Sequence, residues 1–434
     1  MQLAPRSMDL VRSPKLNPVG PRWYRYYAGF APEFVSDICD VFSVEDGSHA
    51  LDPWMGSGTT LSVAATRGAT VAGVDLNPAM LAVAKGRLLA MDTLSSLDPL
   101  GVDISRAWEA ERASLEKEPL RHWFDDETAQ LLRGLSSRIL RVLADEDDVL
   151  PYRVENVSSL TCFYLVALFD TVTTAVRSYG SRNPTWIKRS EDYDGTVALS
   201  IAQIRDSFIA SVKRLSAYLR NSRSISTEVH DNAVISRADS RSLPFSNATF
   251  DAIITSPPYL TRLDYVMGHA PELAVLGYDG TDIRNLRDSM IGTPTRKNDE
   301  ASALKLGSVT DELLASVRDH DSYAARSYYE PNFRQYFVGM AASFAEIQRV
   351  SKPGASVVLV VQDSRFKDIH IDLAGALTDM GRAMGWEPGP RKDFVNVRSM
   401  AQLNKKAHYV ARTTKPTESV ISFTLPTLTN QVPE

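Results

Sequence analysis

The hydrophobic pattern changes period several times between residues 33 and 92. Residues 33–42 carry apolar positions at helical spacing. His49-Ala50-Leu51-Asp52 and Thr70-Val71-Ala72-Gly73-Val74-Asp75 are short apolar runs ending on an acid, the pattern of buried strands. Small and apolar residues at helical spacing follow each run, over Thr60 to Arg67 and over Pro78 to about Met91. Strand, Gly-rich turn, helix, strand, acid, helix predicts the opening of a doubly wound α/β fold with a mostly parallel sheet.

Residues 93–230 read differently. Helical periodicity over Asp126–Leu143, Leu160–Val176 and Val197–Leu219 predicts a large, mostly helical insertion interrupting the sheet. Strand chemistry resumes at Ala233, and Phe250–Thr255 is a strand that ends in Ser256-Pro257-Pro258-Tyr259. Residues 262–330 are irregular with helical stretches. Residues 333–350 form an amphipathic helix ending at Lys352-Pro353-Gly354, and Ala355–Val361 is the most apolar strand of all. The expected organisation is therefore 1–92 as the first part of one domain, 93–230 as the insertion and 231–412 as the second part. Residues 413–434, rich in Ser, Thr and Pro, are expected to be a partly disordered tail.

The chain has 434 residues, 44% hydrophobic and 23% charged, which is ordinary for a globular enzyme needing no disulfide or metal staple. Its two cysteines, Cys39 and Cys162, form no C-x-x-C pair. A disulfide framework and a cysteine zinc site are not expected, and a reducing cytoplasm is. The seven histidines show no ligand spacing, so no metal is expected. The N-terminal residues lack the apolar core of a signal peptide, and the apolar runs are strand-length, so no membrane association is expected. Net charge is −5, but residues 181–224 and 381–412 are locally basic against an acidic stretch at 92–150. That distribution suits an enzyme gripping a polyanion locally.

Two stretches carry chemistry. In Asp52-Pro53-Trp54-Met55-Gly56-Ser57-Gly58-Thr59-Thr60, the glycines permit positive φ and close approach of a ligand to the backbone. The helix start that follows favours an anionic group. No Lys follows Gly58, which excludes a P-loop. Asp75, ending the next strand, is placed to accept hydrogen bonds from ribose hydroxyls. An adenosine ligand carrying an amino-acid group is implied. In Thr255-Ser256-Pro257-Pro258-Tyr259, two prolines fix the backbone and remove two N–H donors. Outward carbonyls, a hydroxyl and an aromatic ring can then receive an exocyclic amino group and stack its base.

On these residues the chain resembles the S-adenosylmethionine-dependent DNA amino-methyltransferases. Asp52–Thr60 is similar to their cofactor motif and Ser256–Tyr259 to their catalytic [DNS]-P-P-[YFW] motif. Tyr27–Glu33 resembles the F-x-P-E element, which puts Phe30 on the methionine end of the cofactor. Ala238–Phe245 resembles the segment whose acid, here Asp239, reaches the adenine. Arg349–Gly354 is similar to a segment common among Rossmann-like methyltransferases. The resemblance covers residues 24–92 and 231–412. It implies a Rossmann-like class I fold, S-adenosylmethionine as cofactor and double-stranded DNA as substrate. It makes Phe30, Asp52, Gly56, Ser57, Gly58, Thr59, Asp75 and Asp239 cofactor-binding, and Ser256, Pro257, Pro258 and Tyr259 catalytic.

Ser before Pro-Pro is more typical of cytosine-N4 enzymes, with adenine-N6 as the alternative. A Pro-Cys nucleophile is missing, which excludes the cytosine-C5 class. An RNA guanine-N2 enzyme and a non-catalytic DNA-binding relative are weaker readings. The family mostly has Phe where Trp54 stands, and its Ser-Pro-Pro-Tyr members most often place catalysis before the cofactor motif; here the order is reversed. DNA contact is expected at Arg182, Trp186, Lys188 and Arg189, where an aromatic sits among cations. Arg262, Asp264, Tyr265 and His269 are candidates for the base pocket. The setting implied is restriction-modification or defence. With no convincing nuclease pattern in this chain, a restriction endonuclease partner would be a separate protein.

Overall fold

A computed structural model describes residues 7–15, 22–26, 29–106, 108, 117–144, 150–178, 195–222, 225–260, 264–293, 305–395 and 417–426. Among the described residues nine strands follow in chain order: β1 (His49–Asp52), β2 (Thr70–Asp75), β3 (Val234–Arg237), β4 (Phe250–Thr255), β5 (Ser351–Gln362), β6 (Ser364–Phe366), β7 (Ile369–Ile371), β8 (Glu387–Val395) and β9 (Thr417–Thr424). Seven of them form one sheet in the order β3-β2-β1-β4-β5-β9-β8, and β6 and β7 form a separate hairpin. The pairs from β3 to β5 are all parallel, and β9 runs antiparallel to both β5 and β8. This is a doubly wound, mostly parallel sheet of the Rossmann-like class I kind. Strand order reverses between β1 and β4, so the crevice at their carboxyl ends is where a ligand is expected.

β1, β2 and β4 lie where the apolar runs predict them. The insertion is helical, with helices Leu97–Ile104, Asp126–Leu143, Ser159–Ser178, Ile201–Asn221 and Thr227–Asp231. Local chemistry starts them: the Asp125 carboxylate accepts from the Thr128 N–H, and Ser200 and Gln203 form a capping box. The helix Ser159–Ser178, expected as a helix over Leu160–Val176, is long and apolar enough to cross a membrane by length and composition, so the apolar runs are not all strand-length. It is buried instead, packing on the helices Pro78–Arg87 and Ile201–Asn221. Residues of the insertion such as Phe163, Phe169 and Leu215 share one buried cluster with Phe34, Leu61 and Leu81. The insertion thus extends the core on one face of the sheet. The helices Glu330–Val350 and Leu373–Ala383 cover the other face.

The expected tail is a correction. Residues 417–424 form β9, wedged between β5 and β8, with Val420, Ile421 and Phe423 buried. Its serines and threonines read as disorder, yet Thr, Val, Ile and Phe at this density suit a pleated surface once β5 supplies a partner. The strand from Ala355 also begins earlier, at Ser351, running through Lys352-Pro353-Gly354.

Candidate active site

β1 ends at Asp52 and β4 at Thr255, side by side, and the loops after them wall a cavity of about 720 Å³ open to solvent. Its wall includes Tyr26, Phe30, Asp52, Trp54, Ser57, Thr59, Asp75, Asn77, Ser256, Pro257, Tyr265 and His269. The two motifs therefore meet in one space.

Asp52 is buried, and its Oδ1 accepts from the Thr255 hydroxyl at 2.6 Å and the Trp54 N–H at 3.1 Å. Burial pushes its carboxyl up to about 6, against the pull of those donors. Asp75 accepts from the Asn77 N–H on Oδ1 (2.8 Å) and the Gly56 N–H on Oδ2 (3.1 Å). Burial raises this carboxyl too, and the two N–H groups oppose it. Each oxygen keeps a lone pair for a ligand hydroxyl.

Asn77 caps the helix Pro78–Arg87, its Oδ1 accepting from the Ala79 N–H at 3.0 Å. That bond sets the orientation of the amide. Its Nδ2 is buried without a partner among the described residues, on the wall of the cavity. A buried donor left unsatisfied costs about 1–3 kcal/mol, which a ligand acceptor would remove. The sequence reading missed Asn77, although Asn before Pro at a helix start is a capping signal.

The glycines divide their work. Gly56 has φ +47°, and a Cβ there would lie 2.7 Å from a ring carbon of Tyr26. Gly58 has φ +70°, and its Cβ would lie 2.9 Å from the Cβ of Ala84. Gly58 is therefore required by the close seating of the helix Pro78–Arg87, and ligand approach, the expectation from sequence, is not what crowds it. Buried Arg87 holds the loop from behind, donating to Thr59 Oγ1 at 2.8 Å, to the Ser57 carbonyl at 3.3 Å and to the Tyr218 hydroxyl at 2.9 Å. No sequence signal distinguishes this arginine from a solvated one at a helix end.

At the catalytic end, the Ser256 hydroxyl donates to the Val360 carbonyl of β5 at 2.9 Å. With its proton committed, the oxygen faces the cavity as an acceptor. The Pro257 carbonyl has no hydrogen-bond partner among the described residues, while that of Pro258 accepts from the Tyr336 hydroxyl at 2.9 Å. Tyr259 is buried beside the cavity, off its wall, and its N–H donates to the Tyr265 hydroxyl at 3.2 Å. The aromatic side chains lining the space are instead Tyr26, Phe30, Trp54, Tyr265 and His269. His269 bonds through Nδ1 to the Tyr265 carbonyl at 2.8 Å and lies 5.6 Å from the Tyr26 ring.

Two expected site residues sit elsewhere. Asp239 is off the cavity wall, its carboxylate paired with Arg241 at 2.6 Å. Asp264 pairs with Arg287 at 2.7 Å. Arg182, Trp186, Lys188, Arg189 and Arg262 lie outside the described residues. Among the described residues, no group of three or more His, Cys, Asp or Glu could hold a metal ion.

No family model matches the chain. It is 24% identical over 413 residues to the type II methyltransferase M.BsoBI of Geobacillus stearothermophilus, covering 84% of this chain and 78% of that one. It is 23% identical over 397 residues to the type II methyltransferase M.AvaI of a Nostoc strain, with the same coverage. Among solved structures, it aligns with a SAM-dependent methyltransferase of Methanosarcina mazei at TM-score 0.28 and 11% identity, over 88% of this chain and 94% of the other. The cofactor is S-adenosylmethionine. The buried acids and the unsatisfied Asn77 amide suit its ribose and adenine, and the open acceptors at Ser256 and Pro257 suit the group that receives its methyl.

Proposed function

We propose that this S-adenosylmethionine-dependent methyltransferase acts on DNA and methylates the exocyclic N4 of cytosine. Type II methyltransferases act on DNA, and the similarity over 84% of the chain supports that substrate class here. The observation that carries the reading is the Ser256 oxygen, held as an acceptor by its bond to Val360, on the same cavity wall as Asp75 and Asn77.

When bound, the cofactor supplies an electrophilic methyl on a sulfonium. The cytosine amino nitrogen is a poor nucleophile because its lone pair is delocalised into the ring. Donating its two hydrogens to Ser256 Oγ and the Pro257 carbonyl draws that nitrogen toward tetrahedral geometry and aims the lone pair at the methyl. Ser256 Oγ and the Pro257 carbonyl would hold the amino group in that pose while it takes the methyl, and the nitrogen's surplus proton would pass to water. Positioning supplies most of the rate in such a direct transfer. The target base must leave the duplex, at a cost of a few kcal/mol. Aromatic surfaces around Tyr265 and Trp54 can offset part of that by stacking, worth about 1–3 kcal/mol per base.

Cytosine rather than adenine rests on Ser256, since the same acceptor pair suits either amino group. Nucleoside mass spectrometry of DNA from cells expressing the protein tests the reading. N4-methylcytosine is expected; N6-methyladenine instead would overturn the base, and no methylated base would overturn the substrate class. The cytoplasm and a separate partner nuclease complete the proposed setting.

A further inference from the structure

A second cavity, of about 280 Å³ and open to solvent, adjoins the first: Tyr265 and Met290 belong to both walls. Asp264, Arg287 and Gly292 line the second alone. The turn Ser256–Tyr259 runs from one space to the other. Ser256, Pro257 and Pro258 line the first. A Cβ on Gly292, in the wall of the second, would lie 3.5 Å from the Tyr259 carbonyl oxygen. The Tyr259 N–H donates to the hydroxyl of Tyr265, whose residue both spaces share.

Arg287 is held in this wall from several sides. It belongs to the helix Gly280–Ser289, which buries Ile283 and Leu286 and opens on a capping box between Asp279 and Asp282. Arg241 ties down the other end of that helix, donating to the Ser289 carbonyl at 2.7 Å. The Arg287 Nη2 pairs with Asp264 Oδ2 at 2.7 Å, and Asp264 is itself fixed, its Oδ1 accepting from the Met267 N–H at 3.0 Å. One carboxylate oxygen satisfies only part of a guanidinium. The Arg287 Nε is buried and has no hydrogen-bond partner among the described residues. A buried donor left so is costly, and a ligand that brings an acceptor into the cavity relieves it.

We propose that Arg287 selects the target base, by donating to the 2-carbonyl oxygen of a cytosine whose amino group lies against Ser256 and Pro257. This rests on the cytosine reading above and deepens it. A base taken out of a duplex is read on its Watson–Crick edge. On cytosine that edge carries the amino group, the N3 acceptor and then the 2-carbonyl. On adenine it carries the amino group, a ring-nitrogen acceptor and then a C–H bond. Ser256 and Pro257 meet what the two bases share. A guanidinium in the adjoining space meets the place where they differ. Cytosine gives it a charge-assisted bond, and adenine leaves it desolvated against carbon. Discrimination is strongest where the wrong substrate leaves a buried polar group of the site unpaired.

The test uses the full-length protein and two synthetic duplexes bearing the site that sequencing shows to be methylated in expressing cells. One carries the target cytosine. The other carries in its place a 5-linked 2-aminopyridine C-nucleoside, which keeps the amino group and ring nitrogen but has C–H where cytosine has its 2-carbonyl. Both targets stand opposite an abasic site, so neither has a base pair to break. Single-turnover transfer of a tritiated methyl group is measured at subsaturating duplex. The wild-type protein is expected to methylate cytosine roughly tenfold or more faster than the analogue, the loss of one hydrogen bond to a charged group. Arg287→Met should slow cytosine and spare the analogue, bringing the ratio close to unity. Arg287→Lys, which keeps a cationic donor, should give an intermediate ratio. Cofactor affinity by calorimetry should stay unchanged in both variants. Equal rates on the two duplexes with the wild-type protein overturn the assignment without any variant. The wild-type ratio persisting in Arg287→Met also overturns it, and leaves the arginine as a tie to Asp264. N6-methyladenine in the nucleoside analysis removes the cytosine reading and this assignment with it. N4-methylcytosine made with no preference between the duplexes removes this assignment alone.

Discussion

The hydroxyl of Ser256 donates to the carbonyl of Val360 at 2.9 Å, across the β4–β5 boundary of the sheet. A serine at a strand end has one proton and two lone pairs. Giving the proton to the neighbouring strand turns a group of either polarity into an acceptor, and an amino group needs an acceptor.

Ser256→Ala is expected to lower kcat about fivefold, because a neutral hydrogen bond of about 1 kcal/mol to the amino group is lost. Cofactor affinity should not change, as Asp75 and Asn77 are untouched. Single-turnover rates and calorimetry on the same preparation check both halves. Full activity in the variant would make Ser256 a tie between strands and leave the Pro257 carbonyl as the sole acceptor.

The glycine pair gives a contrast. Gly58→Ala is expected to destabilise the protein by about 1–2 kcal/mol from the left-handed backbone alone, with more from crowding Ala84. The loss should appear equally in cofactor-free and cofactor-bound melts. Gly56→Ala meets the Tyr26 ring instead, at the cavity wall. Its main effect should be weaker cofactor binding, read by calorimetry. Equal effects of the two on affinity would show that the helix contact at Ala84 is not what singles out Gly58.

Much of this site was legible from local pattern, and the parts that were not share a cause. β1, β2 and β4 are buried on both faces, so each is a continuous apolar run that breaks where the sheet ends. Asp52 and Asp75 end their strands and Ser256 directly follows β4, so both motifs sit where an apolar run stops, a signal that local sequence carries. β9 was misread because its burial depends on β5, more than fifty residues earlier, and a Ser/Thr-rich segment shows no sign of that partner. The contact that fixes Gly58 is not local: Ala84, its neighbour, lies a helix, a strand and most of a second helix further along the chain. Asp239 matched a motif, but Arg241 two residues later takes its carboxylate. Tyr26 and Arg87 act through tertiary contacts that no periodicity encodes.

Asn77 offers a substitution that separates cap from ligand contact. Asp caps a helix as well as Asn does, so Asn77→Asp should keep the bond to the Ala79 N–H and the melting temperature of the cofactor-free protein. It removes the Nδ2 donor and adds a charge beside Asp75. Cofactor affinity is expected to fall at least tenfold. Asn77→Ser, which keeps a cap without the added charge, should fall less. Unchanged affinity in both would place the amide outside the ligand's reach.

Asp52 makes the stability of the cofactor-free protein depend on pH in a direction opposite to that of a paired carboxylate. Its folded-state carboxyl titrates near about 6, above its ordinary value of 3.8, because burial disfavours the charge. Between those values the unfolded chain has lost the proton and the folded chain keeps it. Folding therefore weakens as pH rises from about 4 to about 6, by on the order of 1–3 kcal/mol, and the deficit stays constant above that. Asn at this position carries no charge, and its single oxygen can still accept from both Thr255 and Trp54, which use the same Oδ1. Asp52→Asn should accordingly melt higher than the parent at pH 7.5, with the gap closing by pH 4. The cofactor's positive charge should pull the Asp52 carboxyl down again, so binding by the parent is expected to strengthen as pH rises through 6 and to flatten in the variant. Calorimetry at pH 5, 6 and 7 reads this directly. Parallel pH dependence in the two proteins would mean that another acid, with Asp75 the first candidate because burial raises it as well, carries the linkage.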